Sequence, residues 1–174
     1  MKGIILSSFR DYFLLYKSKQ EWQKILKNSG LGSEKIILAT SNIDDNYIPN
    51  VIDHMCSILS KNKKDLLIEL GKYFALHTIP KYYKIMLEKY NTFDDFILNV
   101  NNIHSKLTQM LPGANPPMFG IDNKNNMYIL KYMPSKKLGL IDYAQGVILG
   151  ALEYYHTNAS VNKTSNSEIR ILYQ

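Results

Sequence analysis

At 174 residues, with 45% apolar and 21% charged side chains, the chain has the size and composition of one folded domain with a substantial core. Its one cysteine, Cys56, excludes an internal disulfide and a cysteine-based metal site, and suits a reducing, cytoplasmic setting. The net charge of +6 raises nucleic acid as a partner, but only Lys61, Lys63 and Lys64 form a dense run, and only Arg10 and Arg170 offer a planar fork for bases or phosphates, so no nucleic-acid partner is expected.

No stretch approaches the ~18 consecutive apolar residues of a membrane span, and Arg10 and Asp11 interrupt the first apolar stretch, unlike a signal peptide. Ile5, Phe9, Tyr12, Phe13 and Tyr16 recur at helical spacing and predict an amphipathic helix over 2–17. A short helix is expected over 20–27, ending near Ser29-Gly30, followed by a turn-rich stretch over 28–46. Val51, Met55, Ile58 and Leu59 predict a third helix over about 47–60. Another begins at Lys64 or Asp65 and carries Leu66, Leu67, Leu70, Tyr73 and Phe74. Thr78 and Pro80 then mark a restart, with Thr78 as cap and a helix from about Lys81 to Tyr90.

The stretch from Thr92 to Pro117 organises the rest. Thr92 can cap a helix and Asp95 can answer it, while Asp94 and Asp95 put negative charge at the positive end of the helix dipole. Phe96, Val100, Ile103, Leu107 and Met110 follow at spacings of four, three, four and three, one buried face of a single long helix that Pro112 and Gly113 stop. His104 shares a side of that helix with Ile97, Val100 and Leu107. On spacing alone it is either a hydrogen-bonded core residue or a ligand. Asn101, one turn earlier, is expected to hold its second ring nitrogen, as ligating histidines require. Gly-Ala-Asn-Pro-Pro then forces a stiff, extended exit.

After Pro117, Met118–Ile121 and Met127–Met133 read as two strands around a polar turn, and Ala159–Lys163 and Glu168–Tyr173 as two more. Between them 138–155 reads as a helix, with Gly146 and Gly150 on one face. That face either lets another helix approach closely or admits a flat ligand. The expected fold class is α+β: a helical N-terminal subdomain (1–62) packed on a C-terminal subdomain (63–174) of helices and a four-stranded antiparallel sheet.

The segment Asn102-Ile103-His104-Ser105-Lys106-Leu107-Thr108-Gln109-Met110, followed by Gly113-Ala114-Asn115-Pro116-Pro117, resembles the haem nitric oxide/oxygen binding (H-NOX) family, and Met1-Lys2-Gly3-Ile4-Ile5 is similar to that family's start. The resemblance covers nearly the whole chain. It implies a haem b cofactor (iron protoporphyrin IX) with His104 as axial ligand to iron. Pro117 would press on the macrocycle, and Ile5, Leu107, Tyr132, Met133, Ser135, Lys137 and Val147 would join it in holding the cofactor. It also implies a distal gas pocket of Phe9, Phe74 and Tyr143. The implied ligand is nitric oxide, with dioxygen and carbon monoxide left open. No enzyme is implied, but a gas sensor that signals through haem relaxation and a subdomain shift. The output passes to a signalling protein such as a histidine kinase, a diguanylate cyclase or a methyl-accepting chemoreceptor, on another chain or further along this one.

The sequence departs from the family at one motif. The family's Tyr-x-Ser-x-Arg, which holds the haem propionates, is here Tyr132-Met133-Pro134-Ser135-Lys136-Lys137. Ser135 and Lys137 stand in register with Gly139-Leu140, Met133 stands where tyrosine belongs, and a bulge at Met133-Pro134 is the expected means of returning Tyr132. Lysine neutralises a carboxylate but does not grip it bidentately. The departure motivates an alternative, a haem-free interaction module of the same fold. A haem peroxidase is disfavoured, because Ile5, Phe9, Phe74 and Val147 give an apolar distal set where that chemistry wants a polar acid–base group.

Overall fold

A computed structural model describes residues 2–32, 36–134 and 138–174. The chain divides into two compact units, 1–66 and 67–174.

The first unit is helical. Helix α1 (Gly3–Phe13) ends three residues after Arg10 and α2 (Lys19–Asn28) starts from a full capping box, in which Ser18 and Glu21 satisfy each other's backbone and side-chain groups. A 3₁₀ turn (Asp45–Tyr47) leads into α3 (Ile48–Leu59), with Pro49 in its first turn and Ser60 in the left-handed conformation at its end. Leu6, Phe9, Phe13, Ile25, Ile48, Ile52 and Met55 have lost nearly all contact with solvent.

Helix α4 (Lys63–Tyr73) contains the boundary between the units. It runs without interruption through one π turn (Phe74–Thr78) into α5 (Ile79–Leu87). The expected restart at Thr78 is therefore a widened turn, and Thr78 keeps helical angles without capping. Proline lacks an N–H and its ring clashes with the carbonyl four residues back, so widening the helix just before Pro80 accommodates it without a break.

The long helix expected over 92–110 is two helices, α6 (Phe93–Leu98) and α7 (Val100–Met110). Thr92 caps α6 as expected, accepting from the Asp95 amide at 3.1 Å. The break comes at Asn99, where φ is −101° and ψ 5°. Its side-chain amide donates to the Asp95 carbonyl at 2.9 Å, competing with the helical ladder as asparagine does. Past the break the apolar stripe is no longer buried throughout. Val100 is buried, Ile103 and Leu107 are half-buried, and Met110 is 64% exposed.

The sheet is antiparallel with strand order β1-β2-β4-β3: β1 (Met118–Lys124), β2 (Met127–Met133), β3 (Ala159–Ser165) and β4 (Glu168–Tyr173). Helix α8 (Ile141–Tyr154) precedes β3. Period-two alternation puts Phe119, Leu130, Tyr132, Val161, Ile169 and Ile171 on the inner face, in one core with Phe96 and Ile97 of α6 and Ile148 and Leu152 of α8. Side-chain amides cover both edge strands. Asn101 bonds the Phe119 backbone on β1, and Gln145 donates to the Val161 carbonyl on β3 at 3.1 Å.

The glycine face of α8 is a helix crossing. A Cβ on Gly146 would stand 2.1 Å from the Ile68 carbonyl oxygen, and one on Gly150 2.6 Å from the Ala75 Cβ. Gly71 answers from the opposite helix, with the Tyr143 carbonyl oxygen 2.1 Å from where its Cβ would be. Of the two uses the spacing allowed, close helix approach is the one observed.

Candidate functional site: a histidine held by a proline carbonyl

His104 lies on α7, half-buried, and its Nδ1 is 2.6 Å from the carbonyl oxygen of Pro117. A carbonyl only accepts, so Nδ1 carries the proton and Nε2 keeps its lone pair. Burial pushes the pKa of the ring below its ordinary value, and the bond to Pro117 opposes that shift. The result is a neutral imidazole, fixed in tautomer and direction, presenting a lone pair from Nε2. That is the state a metal-ligating histidine needs.

Pro117 is held in turn. The Asn101 side chain donates to the Phe119 carbonyl at 2.7 Å and accepts from the Phe119 amide at 2.9 Å. The sequence suggested that Asn101 would hold the imidazole; its side chain instead bonds the Phe119 backbone. It fastens α7 to β1, and the Pro117 carbonyl takes the role expected of it. Backbone acceptors thirteen residues away leave no mark in the local pattern.

Beside the imidazole runs a row of rings: His104 to Phe119 at 6.2 Å between centroids, then Phe119 to Tyr132 at 5.7 Å. Tyr132 is buried and its phenol is shifted upward by burial. Met133 points to the other face of β2, 51% exposed and paired across the strands with Met118. Strand β2 stays in register with β1 through Met133, so the bulge expected to re-aim Tyr132 does not lie within the strand. Ser135 and Lys137 fall outside the described residues. Leu107 is half-buried one turn beyond His104.

A second group gathers where α8 meets the π turn. The Phe74 and Tyr143 rings are 6.0 Å apart, and Val147 follows Tyr143 by one turn on α8. The Tyr143 hydroxyl is buried, and burial raises its pKa well above that of an ordinary tyrosine, so the phenol stays protonated. Ile5 and Phe9 belong to α1 in the other unit, Phe9 fully buried and Ile5 half-buried. His77 is exposed, with its ring 4.6 Å from that of Tyr73.

A neutral, oriented imidazole beside an aromatic row fits an apolar planar group whose metal accepts one nitrogen ligand. Solved H-NOX structures share the whole fold. The chain superposes on an H-NOX protein from S. oneidensis in the Fe(II)NO ligation state with a TM-score of 0.90 at 15% identity, over 100% of this chain and 99% of that one. For an unliganded Fe(II) A71G mutant of a K. algicida H-NOX protein the values are 0.86 and 21%, over 100% and 97%. For an I5F mutant of a T. tengcongensis H-NOX protein they are 0.82 and 20%, over 100% and 98%. No curated protein sequence matches the chain.

The class this fold defines is the α+β architecture of the H-NOX domains. The family follows from the sequence itself: a model described as Haem-NO-binding matches residues 2–163, and the chain belongs to that family. Its cofactor is haem, and its general role is haem-based gas sensing.

Proposed function

We propose that this domain is a nitric oxide sensor in which His104 supplies the axial ligand to haem iron through Nε2. The observation that carries this reading is the 2.6 Å bond from His104 Nδ1 to the Pro117 carbonyl, which fixes the tautomer and aims the lone pair. When bound, ferrous haem supplies an open coordination position for a diatomic gas. To the wall of the cofactor site we assign Leu107, Pro117 and Tyr132. Ser135 and Lys137 are proposed for the propionates, with lysine neutralising charge where the family uses arginine.

On the gas side we assign Phe74, Tyr143 and Val147. An apolar set suits nitric oxide, which needs little hydrogen bonding from the protein. The signal is a change in the pull on His104. Asn101 ties α7 to β1 and the Pro117 carbonyl ties β1's lead-in to the imidazole, so a change at the ring loads both elements together. A shift between the two units would pass this to a signalling protein, such as a histidine kinase, a diguanylate cyclase or a chemoreceptor.

The test is an absorption spectrum of the ferrous protein under argon and under nitric oxide, for the native chain and for His104→Gly. The native protein should show a histidine-ligated ferrous spectrum that nitric oxide alters. His104→Gly should regain it only with added imidazole. An unchanged spectrum in His104→Gly without imidazole overturns the ligand assignment.

A further inference from the structure

The corner between α1 and α2 breaks the usual rule for helix connections. Such turns are normally polar, and a run of three exposed apolar residues is a liability unless it serves a function. Here Leu14, Leu15 and Tyr16 follow one another and are 38%, 61% and 58% exposed. Flexibility does not explain them, because the corner is tightly bonded. The amides of Leu14, Leu15, Tyr16 and Lys17 donate to the carbonyls of Arg10, Tyr12, Phe13 and Phe13 at 2.9 to 3.1 Å. Beneath the corner, buried Phe13 packs on Trp22 with ring centroids 5.7 Å apart.

The corner is also basic. Lys17 and Lys19 continue the chain from Tyr16, and Lys61 arrives from the end of α3. The Lys61 ammonium sits 5.6 Å from the Tyr16 ring centroid and donates to the Tyr12 hydroxyl at 3.3 Å, while the Tyr12 and Tyr16 rings are 5.4 Å apart. Glu21, the nearest carboxylate along α2, accepts from both the amide and the hydroxyl of Ser18. Asp11 is paired with Arg10 at 2.8 Å.

We propose that this corner, Leu14–Lys19 with Lys61, docks the domain on an anionic lipid surface. The exposed apolar residues are three in a row at one turn. A bilayer interface accepts so small an exposed patch without a matching pocket, which a folded protein partner would have to supply. Leucine side chains enter the boundary of the acyl region, a tyrosine places its ring at headgroup depth, and flanking lysines meet phosphate groups. The attachment is peripheral: among the described residues no helix is long and apolar enough to cross a membrane.

The test is sedimentation of the full chain with vesicles of three parts phosphatidylcholine to one part phosphatidylglycerol, against phosphatidylcholine alone. The native protein should bind the anionic vesicles, weaken as salt rises from about 0.1 M to about 0.5 M, and ignore the neutral ones. Lys17→Gln and Lys19→Gln should each weaken binding about fivefold. Leu15→Gln with Tyr16→Ser should weaken it on the order of tenfold. Leu15, Tyr16 and Lys19 are exposed and Lys17 is half-buried, so circular dichroism should report unchanged folding. Equal binding to both vesicle types, no binding to either, or variants that bind like the native chain would each overturn the proposal. So would vesicle binding abolished only by changes elsewhere on the domain.

Discussion

The Nδ1 of His104 and the carbonyl oxygen of Pro117 stand 2.6 Å apart across thirteen residues of chain. That bond fixes which nitrogen carries the proton, and it makes the Gly-Ala-Asn-Pro-Pro exit part of the site and not merely a helix stop. Two prolines in succession hold the carbonyl steady, since each restricts its own φ and the residue before it.

A pH dependence follows. Burial holds the folded-state pKa of His104 below its ordinary value of 6.5. The unfolded chain therefore takes up a proton that the folded site resists, so protonation favours unfolding. Stability should be flat with respect to this group above about pH 6.5 and fall as pH drops below it. Thermal melts of the cofactor-free protein between pH 8 and pH 5, about three units around that value, should show the decline, and His104→Gln should lack this component. An identical slope in the variant would remove His104 as its source.

Asn101 should behave as a clasp. Its side chain makes both bonds that a neighbouring strand would make to Phe119, at 2.7 and 2.9 Å. Asn101→Ala leaves the amide of a buried residue without its partner, at a cost of about 2 kcal/mol. Asn101→Asp keeps the acceptor for the Phe119 amide but loses the donor, and should fall between the two. Urea unfolding measures both variants. A loss below about 0.5 kcal/mol in Asn101→Ala would mean that packing alone holds β1 against α7.

Much of this architecture is legible in the sequence, and the losses have physical causes. Thr92 and Asp95 announce the start of α6, and the strand patterns after Pro117 give all four strands of the sheet. Local chemistry writes those signals. The break at Asn99 is also local, yet its polar side chain sits between two halves of an uninterrupted apolar stripe, which masks it. The π turn before Pro80 is a cooperative response of the helix and has no residue code. The Pro117 carbonyl is a backbone atom, so no side-chain pattern could name it as the partner of His104. The second member of the glycine crossing, Gly71, lies 75 residues before Gly146 and shows its meaning only once the helices meet.

Asp94 anchors the start of α6 to the sheet, accepting from the Tyr173 phenol. Burial, with Asp94 as a hydrogen-bonded and charged neighbour, pushes the Tyr128 pKa up to about 12, and the Tyr173 phenol is raised by the same causes. A phenol whose pKa is higher folded than unfolded contributes stability that is complete below about pH 10 and lost as pH climbs toward 12. Asp94→Asn removes the charge and keeps an acceptor. It should lower the ultraviolet titration midpoints of both tyrosines and flatten the alkaline loss of stability. Unchanged midpoints would show that burial acts alone.

The helix crossing makes the sharpest contrast between neighbouring substitutions. At Gly146 a methyl group would meet the Ile68 carbonyl oxygen at 2.1 Å, and at Gly71 the Tyr143 carbonyl oxygen at the same distance. Both obstacles are backbone, so no rotamer change relieves them, and the two helices must separate. Gly146→Ala and Gly71→Ala should each cost about 3 kcal/mol despite alanine's better helix propensity. Separation would also shift Tyr143 and Val147, which ride on the same stretch of α8, so under the gas-side assignment proposed above nitric oxide binding should change along with stability. Gly120 is the control. Its added Cβ would stand 3.3 Å from the Lys131 Cβ, a gap that a strand shift of a few tenths of an ångström relieves, so Gly120→Ala should cost no more than about 1 kcal/mol. If urea unfolding gave the three variants equal stability, backbone contact could not be what holds α4 against α8.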